Sequence, residues 1–386
     1  MKKCLLLLFV IAVYVLLWRC TDQESAVRVE KHNGEDLYVC DYFKLKDDTL
    51  SLKLSDLIKS IEVIKLDTAS NAMIGSTGVV CSDHYLLLRP NWQDVFKLFD
   101  RKGNYLCDVG GYGRGPGEYM RVHDVQLDEA NGRIYILPFQ TRQLLMYNLQ
   151  GEHIKSIPLA GFLPMGKLKA EGDKISLLTL PFVKHARDSV TLIAFQQDLD
   201  GNLLDSVSAL PYAIKTEYAD WINFNRKSPS FHIYQWDGVQ DSLYHYVPGK
   251  NRLIPKFTVD YKGVKNIPLH EYHEFGDYFW FTTYKLVQRE DGQYTNRRDR
   301  RILVNKKNLK AGLLKIENDL LGGELMGWNF SNGYYTENLS PVALRDRLEK
   351  FSKEKGLSKE TRKRVDNLLA TIQEDDNNYV VIGEMK

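Results

Sequence analysis

The chain is 386 residues long, 44% hydrophobic and 26% charged, with a net charge of +2. A balance so close to neutral, without a basic stripe, argues against nucleic acid or another polyanion as partner. An aromatic share of 11%, including 22 tyrosines, favours pleated sheets, because large rings pack well on them.

The first residues carry export signals rather than fold. Lys2 and Lys3 precede a nearly unbroken apolar run from Cys4 to Trp18, shorter than the roughly 20 residues a spanning helix needs. Residues 1–19 therefore read as a signal peptide. Leu17-Trp18-Arg19-Cys20 resembles a lipobox, which marks Cys20 for lipidation, although Trp18 and Arg19 stand where small residues are usual; an uncleaved short anchor and simple secretion are the alternatives. Polar Thr21 to Ser25 follow, and residues 20–50 are expected to be anchor and tether, with 26–50 open to an added strand. If Cys20 carries lipid, Cys40, Cys81 and Cys107 remain in the mature chain, with no CxxC spacing. That is neither a disulfide framework nor a zinc site, and the three thiols read as small buried hydrophobes.

A repeat fills residues 51–386. Phe99-Asp100-Arg101-Lys102-Gly103-Asn104-Tyr105-Leu106 matches Tyr147-Asn148-Leu149-Gln150-Gly151-Glu152-His153-Ile154 in kind: an aromatic strand end, a glycine turn, then renewed apolar alternation. Asp198 to Leu204 is a third copy, and Tyr246 to Lys250 a degenerate fourth. Gly103, Gly151, Gly201 and Gly249 are spaced 48, 50 and 48 residues apart, the period of a four-stranded propeller blade. Six units follow, at roughly 71–115, 116–160, 161–211, 219–263, 270–320 and 321–386. The last lacks one strand, and Ile61 to Leu66 has no blade of its own, so it is expected to close the ring beside Tyr379 to Ile382. The fold is an all-β six-bladed propeller of four-stranded antiparallel blades. Ser340-Pro341 caps a helical pattern through Leu344, Leu348 and Phe351, and Ser358 starts a second through Leu368, Leu369 and Ile372. Residues 341–375 thus form a helical hairpin inserted in the last blade, expected to overhang the loop-rich face as a partial lid that could be deleted without loss of fold.

The segment Phe99 to Tyr119, with its run Gly110-Gly111-Tyr112-Gly113-Arg114-Gly115-Pro116-Gly117-Glu118-Tyr119, resembles the six-bladed β-propeller lipoproteins of Gram-negative gut bacteria, themselves similar to NHL-repeat propellers. Pro255 to Asp260, Ile267-Pro268 and the terminal Asn377 to Lys386 carry the same resemblance. It implies the fold and export, and it brings no catalytic residue with it.

Loops between second and third strands open on the same face as loops between blades, and binding residues are expected there. The candidates are Trp92, Arg114, Glu118, Tyr119, His185 and Trp236. For each a structural role competes. The glycine run is followed by a strand, so it is no phosphate loop, and Arg114 with Glu118 reads as a blade-to-blade ion pair. Trp92, Trp236 and Trp280 suit sugar stacking or blade packing. Asp198-Leu199-Asp200-Gly201-Asn202 lacks the glutamate of a calcium loop, since Ala209 stands there, and reads as a turn. His270 and His273, three apart on a strand or loop, do not converge on a metal. Arg297 to Arg301 reads as a solvated tip of a projecting hairpin.

The sequence therefore predicts an exported, lipid-anchored propeller of the cell envelope, at the outer membrane, acting as a binding module for a glycan, peptide or protein. No cofactor and no metal are expected. A structural subunit of an envelope assembly is the alternative. An NHL-like metal-dependent lyase or hydrolase comes third, with His123 and Asp124 on an inner strand as its candidates.

Overall fold

The computed structural model describes residues 25–75, 77–182, 190–214, 221–235 and 238–386. Signal peptide and Cys20 lie outside them. Four-stranded antiparallel blades occupy 80–109, 122–163, 166–208, 221–260 and 269–317. The sixth takes Phe330–Ser331, Tyr334–Leu339 and Tyr379–Glu384 and borrows its outer strand, Glu62–Lys65, from the front of the chain. The register Tyr379↔Lys65 through Ile382↔Glu62 is the ring closure that the orphan strand predicts.

The recurring glycine turn has a local cause and a packing cause. Asp100, Asn148 and Asp198 each accept two backbone N–H groups of their own turn with one side-chain oxygen, the behaviour that makes Asx residues turn formers. The glycine that follows adopts a positive φ, +79° at Gly151. A β-carbon there would also lie 2.0 Å from the Asp108 carbonyl of the preceding blade, so glycine is needed twice over. Asp198 is wholly engaged in this turn.

Middle strands read as continuous apolar runs, such as Leu86-Leu87-Leu88 and Ile134-Tyr135-Ile136-Leu137, because each blade is covered on both faces by its neighbours. The core is accordingly a series of interfaces: Leu87, Leu98 and Val109 of blade one pack with Ile134, Ile136 and Tyr147 of blade two. Trp280 is buried within another.

Two expectations need revision. The span 26–50, left open between a tether and an added strand, takes the second form. Val27–His32 and Glu35–Asp41 form a hairpin whose second strand pairs in parallel with Leu253–Asp260 of blade four, and Thr49–Lys53 pairs in parallel with Ala311–Glu317 of blade five. This arm covers two outer edges that would otherwise stand open. The helical hairpin, Pro341–Ser352 and Lys359–Thr371, starts on the predicted caps, Ser340 and Ser358. It is no lid over the ring, however. Leu344, Leu348, Phe351, Val365 and Ile372 are buried against Leu52, Leu54, Leu57, Leu321, Leu325 and Tyr335, in the flank between blades five and six. Arginines of the blade-five hairpin also do more than solvate a tip: Arg298 pairs with Glu324, and Arg300 with Asp47 of the arm.

Candidate functional site

Inner strands of the blades enclose an axial cavity of about 740 Å³. It opens into a second of about 890 Å³ at the mouth, the two sharing Trp92, Val122, His123, Lys167, Ile222 and Asn223. Neither helix of the sixth blade contributes to either lining.

Four aromatic rings stand exposed around this funnel: Trp92 at 74%, Trp328 at 58%, Tyr112 at 43% and Trp221 at 39% relative exposure. Each is held from below. Trp92 follows Asn91, whose side chain accepts the Gln93 amide at 2.7 Å. The same loop is anchored by buried Arg89, which donates to the Asp94 and Met120 carbonyls and lies over the Phe96 and Tyr119 rings. Trp328 rides a turn closed by the Asn329 side chain on the Met326 amide at 3.0 Å. Trp221 stacks on Tyr234, ring centroids 3.9 Å apart and 7° from parallel. Tyr112 is presented by the glycine-rich loop, in which Gly111-Tyr112 pairs with Glu118-Tyr119.

That loop explains three of the sequence candidates. Glu118 does not pair with Arg114: its carboxylate turns into the loop, accepts the Gly115 amide at 2.7 Å and fills the space that side chains at 113 and 115 would need. Arg114 is exposed and lines neither cavity. Tyr119 is core, its hydroxyl donating to the Val109 carbonyl and accepting the Phe96 amide. His185 and Trp236 lie outside the described residues. Of the candidates, the structure brings Trp92 to the cavity, and it adds Tyr112, Trp221 and Trp328, which no local sequence signal singles out.

The polar groups of the cavity wall are mostly satisfied by one another. Asp124 of blade two receives Arg226 from blade four at 2.5 Å and the Leu168 amide at 2.8 Å, with Lys167 3.6 Å away. Burial works to raise its carboxyl, but the two cations outweigh that and hold it below the usual carboxylate range. Glu274 is likewise depressed against its burial by His245 and Lys306, each 2.6 Å away. Glu337 accepts Arg347 through both oxygens. Arg226, Lys306 and Arg347 thus stand as fixed cations against Asp124, Glu274 and Glu337. His123 is also committed: Nε2 lies 3.0 Å from the Pro164 carbonyl and the ring packs on Phe139. Among the described residues three wall groups remain open, the Tyr272 hydroxyl, His273 Nε2 and one shared by both cavities. The Asn223 amide nitrogen is buried, lines both cavities and has no hydrogen-bond partner.

Burial pulls the His123 imidazole down to about 4. An unfolded chain with an ordinary value near 6.5 binds a proton that the native state refuses, so stability falls as pH drops from about 6.5 towards 4. Replacing His123 by Gln keeps a donor and removes the titration. Urea denaturation of both proteins at pH 7 and 4.5 should show the gap moving in the variant's favour by roughly 2–3 kcal/mol, and an unchanged gap would show that the ring is hydrated.

A further polar cluster sits at the junction of blades four and five. Asp241 accepts His232 Nε2 at 3.0 Å on one oxygen and His270 Nε2 at 2.8 Å on the other. Burial opposes its ionisation, yet the two histidines hold it at about 2. His273 diverges from His270 and lines the axial cavity instead.

A family profile described as "Domain of unknown function (DUF4934)" matches residues 39–384. No curated protein matches. Among solved structures, a protein of Bacteroides fragilis NCTC 9343 inferred to be exported is 14% identical, with 88% of this chain and 100% of that one covered at a TM-score of 0.54. A member of the duf4221 family from Bacteroides vulgatus ATCC 8482 is 12% identical, with 86% and 97% covered at a TM-score of 0.40.

Proposed function

The chain belongs to the family described as Domain of unknown function (DUF4934), and from that premise we propose that it is an exported, lipid-anchored propeller that binds a glycan in its axial funnel without transforming it. Export rests on the basic and apolar leader from Lys2 to Trp18 and anchoring on Cys20, which would fasten the disc to the outer membrane.

The observation that carries the binding reading is the ring of exposed aromatics over a cavity with an unpartnered amide donor. Apolar CH faces of a sugar ring suit flat indoles and phenols, whose burial gains free energy without fixing long flexible side chains. Sugar hydroxyls are both donors and acceptors, so they match the Asn223 amide, which otherwise sits buried at a cost. Non-catalytic binding follows from the paired state of Asp124, Glu274 and Glu337.

The test is affinity electrophoresis and calorimetry against a panel of purified polysaccharides. At least one should retard the protein, and Trp92→Ala and Trp328→Ala should each weaken that binding about tenfold, the roughly 1–2 kcal/mol of one stacked ring. A panel that fails throughout, or binding undiminished in the double variant, removes this reading.

A further inference from the structure

We propose that His232, Asp241 and His270 form a binding site for one divalent transition-metal ion of the zinc type, which staples blade four to blade five. The donors come from three places in the chain. His232 is on the second strand of blade four, Ser230–Tyr234; Asp241 precedes that blade's third strand, Leu243–Tyr246; His270 begins the inner strand of blade five, Leu269–Phe275. Their ligand atoms all lie within 4.8 Å of one another, which a small closing movement converts to coordination distances near 2.0–2.2 Å.

Four observations favour an ion over a plain hydrogen-bonded trio. Both imidazoles are almost wholly buried and converge on one carboxylate, and imidazole nitrogens with a carboxylate oxygen are a common metal donor set. His270 directs Nδ1 to the Pro268 carbonyl at 2.8 Å, the kind of supporting bond that orients a ligating histidine, and so turns Nε2 towards Asp241. The hydroxyls of Tyr261 and Tyr272 are buried beside this cluster and make no hydrogen bond of ordinary geometry, leaving polar atoms near a fourth position. Finally, His232 and Tyr272 line the axial cavity, so an ion has a route in. Two nitrogens and one carboxylate select zinc or its neighbours over calcium and magnesium, which want oxygen shells. Ligation through Nε2 would replace the two histidine–Asp241 hydrogen bonds by metal bonds and give up the long 3.3 Å contact of the Tyr272 amide with His232 Nδ1.

Protein purified without an affinity tag, stripped with a chelator, is titrated with Zn²⁺ and with Co²⁺. One equivalent of zinc per chain, a rise in thermal midpoint on adding it, and visible d–d bands from bound Co²⁺ are expected. Asp241→Asn and His270→Gln should each weaken zinc binding by more than roughly 100-fold, beyond what losing a mere supporting partner costs. Should these variants misfold, X-ray absorption on the wild-type zinc protein decides, since it must count two imidazoles. Substoichiometric zinc with no cobalt bands, wild-type affinity in both variants, or fewer than two imidazole ligands would each overturn the proposal.

Discussion

Deleting residues 341–375 is expected to leave no folded protein. Leu344, Leu348 and Val365 are completely buried and Phe351 and Ile372 nearly so, all in one cluster with residues of blades five and six and of the arm. Truncating a single buried leucine costs about 2–5 kcal/mol, while a whole domain is stable by only about 5–15 kcal/mol. The deletion also takes away Arg347, the cation that meets both oxygens of buried Glu337, and an uncompensated buried charge adds several kcal/mol more. The prediction is loss of the cooperative thermal transition in the deletion, and a fall of about 2–5 kcal/mol in Leu348→Ala by urea denaturation. A soluble deletion with an unchanged melting temperature would show that the helices are an appendage after all.

Arg226 should be the most sensitive single residue of the channel. From blade four its guanidinium bonds Asp124 and the Val125 carbonyl in blade two and the Leu168 carbonyl in blade three, while its own amide donates to Asn332 of blade six. Arg226→Ala strands a buried carboxylate and two buried carbonyls, for an expected loss of about 3–5 kcal/mol. Arg226→Lys should fall between, because an ammonium cannot reproduce the planar fork that serves three acceptors. Removing both charges in Arg226→Met with Asp124→Leu should recover much of the loss, since a buried pair replaced by apolar groups is often neutral. Denaturant midpoints of the four proteins check the order, and an Arg226→Ala protein within about 1 kcal/mol of wild type would contradict it.

What could be read in advance was what is locally encoded. The turns at Gly103, Gly151 and Gly201 are specified by an Asx residue and a positive φ within a few positions, and Gly249 keeps the positive φ, so the blade period shows directly. The spare strand ahead of blade one was legible because a closed ring demands a partner for Tyr379–Glu384. By contrast, Leu344, Leu348 and Phe351 announce a buried helix face and are silent on what buries it; much of the answer lies in Leu52, Leu54 and Leu57, distant in sequence. Trp221 and Trp328 became neighbours of Trp92 only through the angular position of their blades. The spacing of His270 and His273 drew attention to a pair that a strand sends to opposite sides, whereas the partners of His270 come from the preceding blade.

The N-terminal arm sets the order of events in folding. Glu35–Asp41, Thr49–Lys53 and Glu62–Lys65 emerge from synthesis well before their partners, which belong to the fourth, fifth and sixth blades. Blade-by-blade assembly in the order of emergence can therefore finish only the first three units; the last three must wait, with the arm unsatisfied meanwhile. Such long-range pairing makes folding slow and leaves strand edges open to other chains. These early strands thus spend a long time at risk of aggregation, and a holding factor acting on them would do more for the yield of this protein than any strengthening of the finished disc.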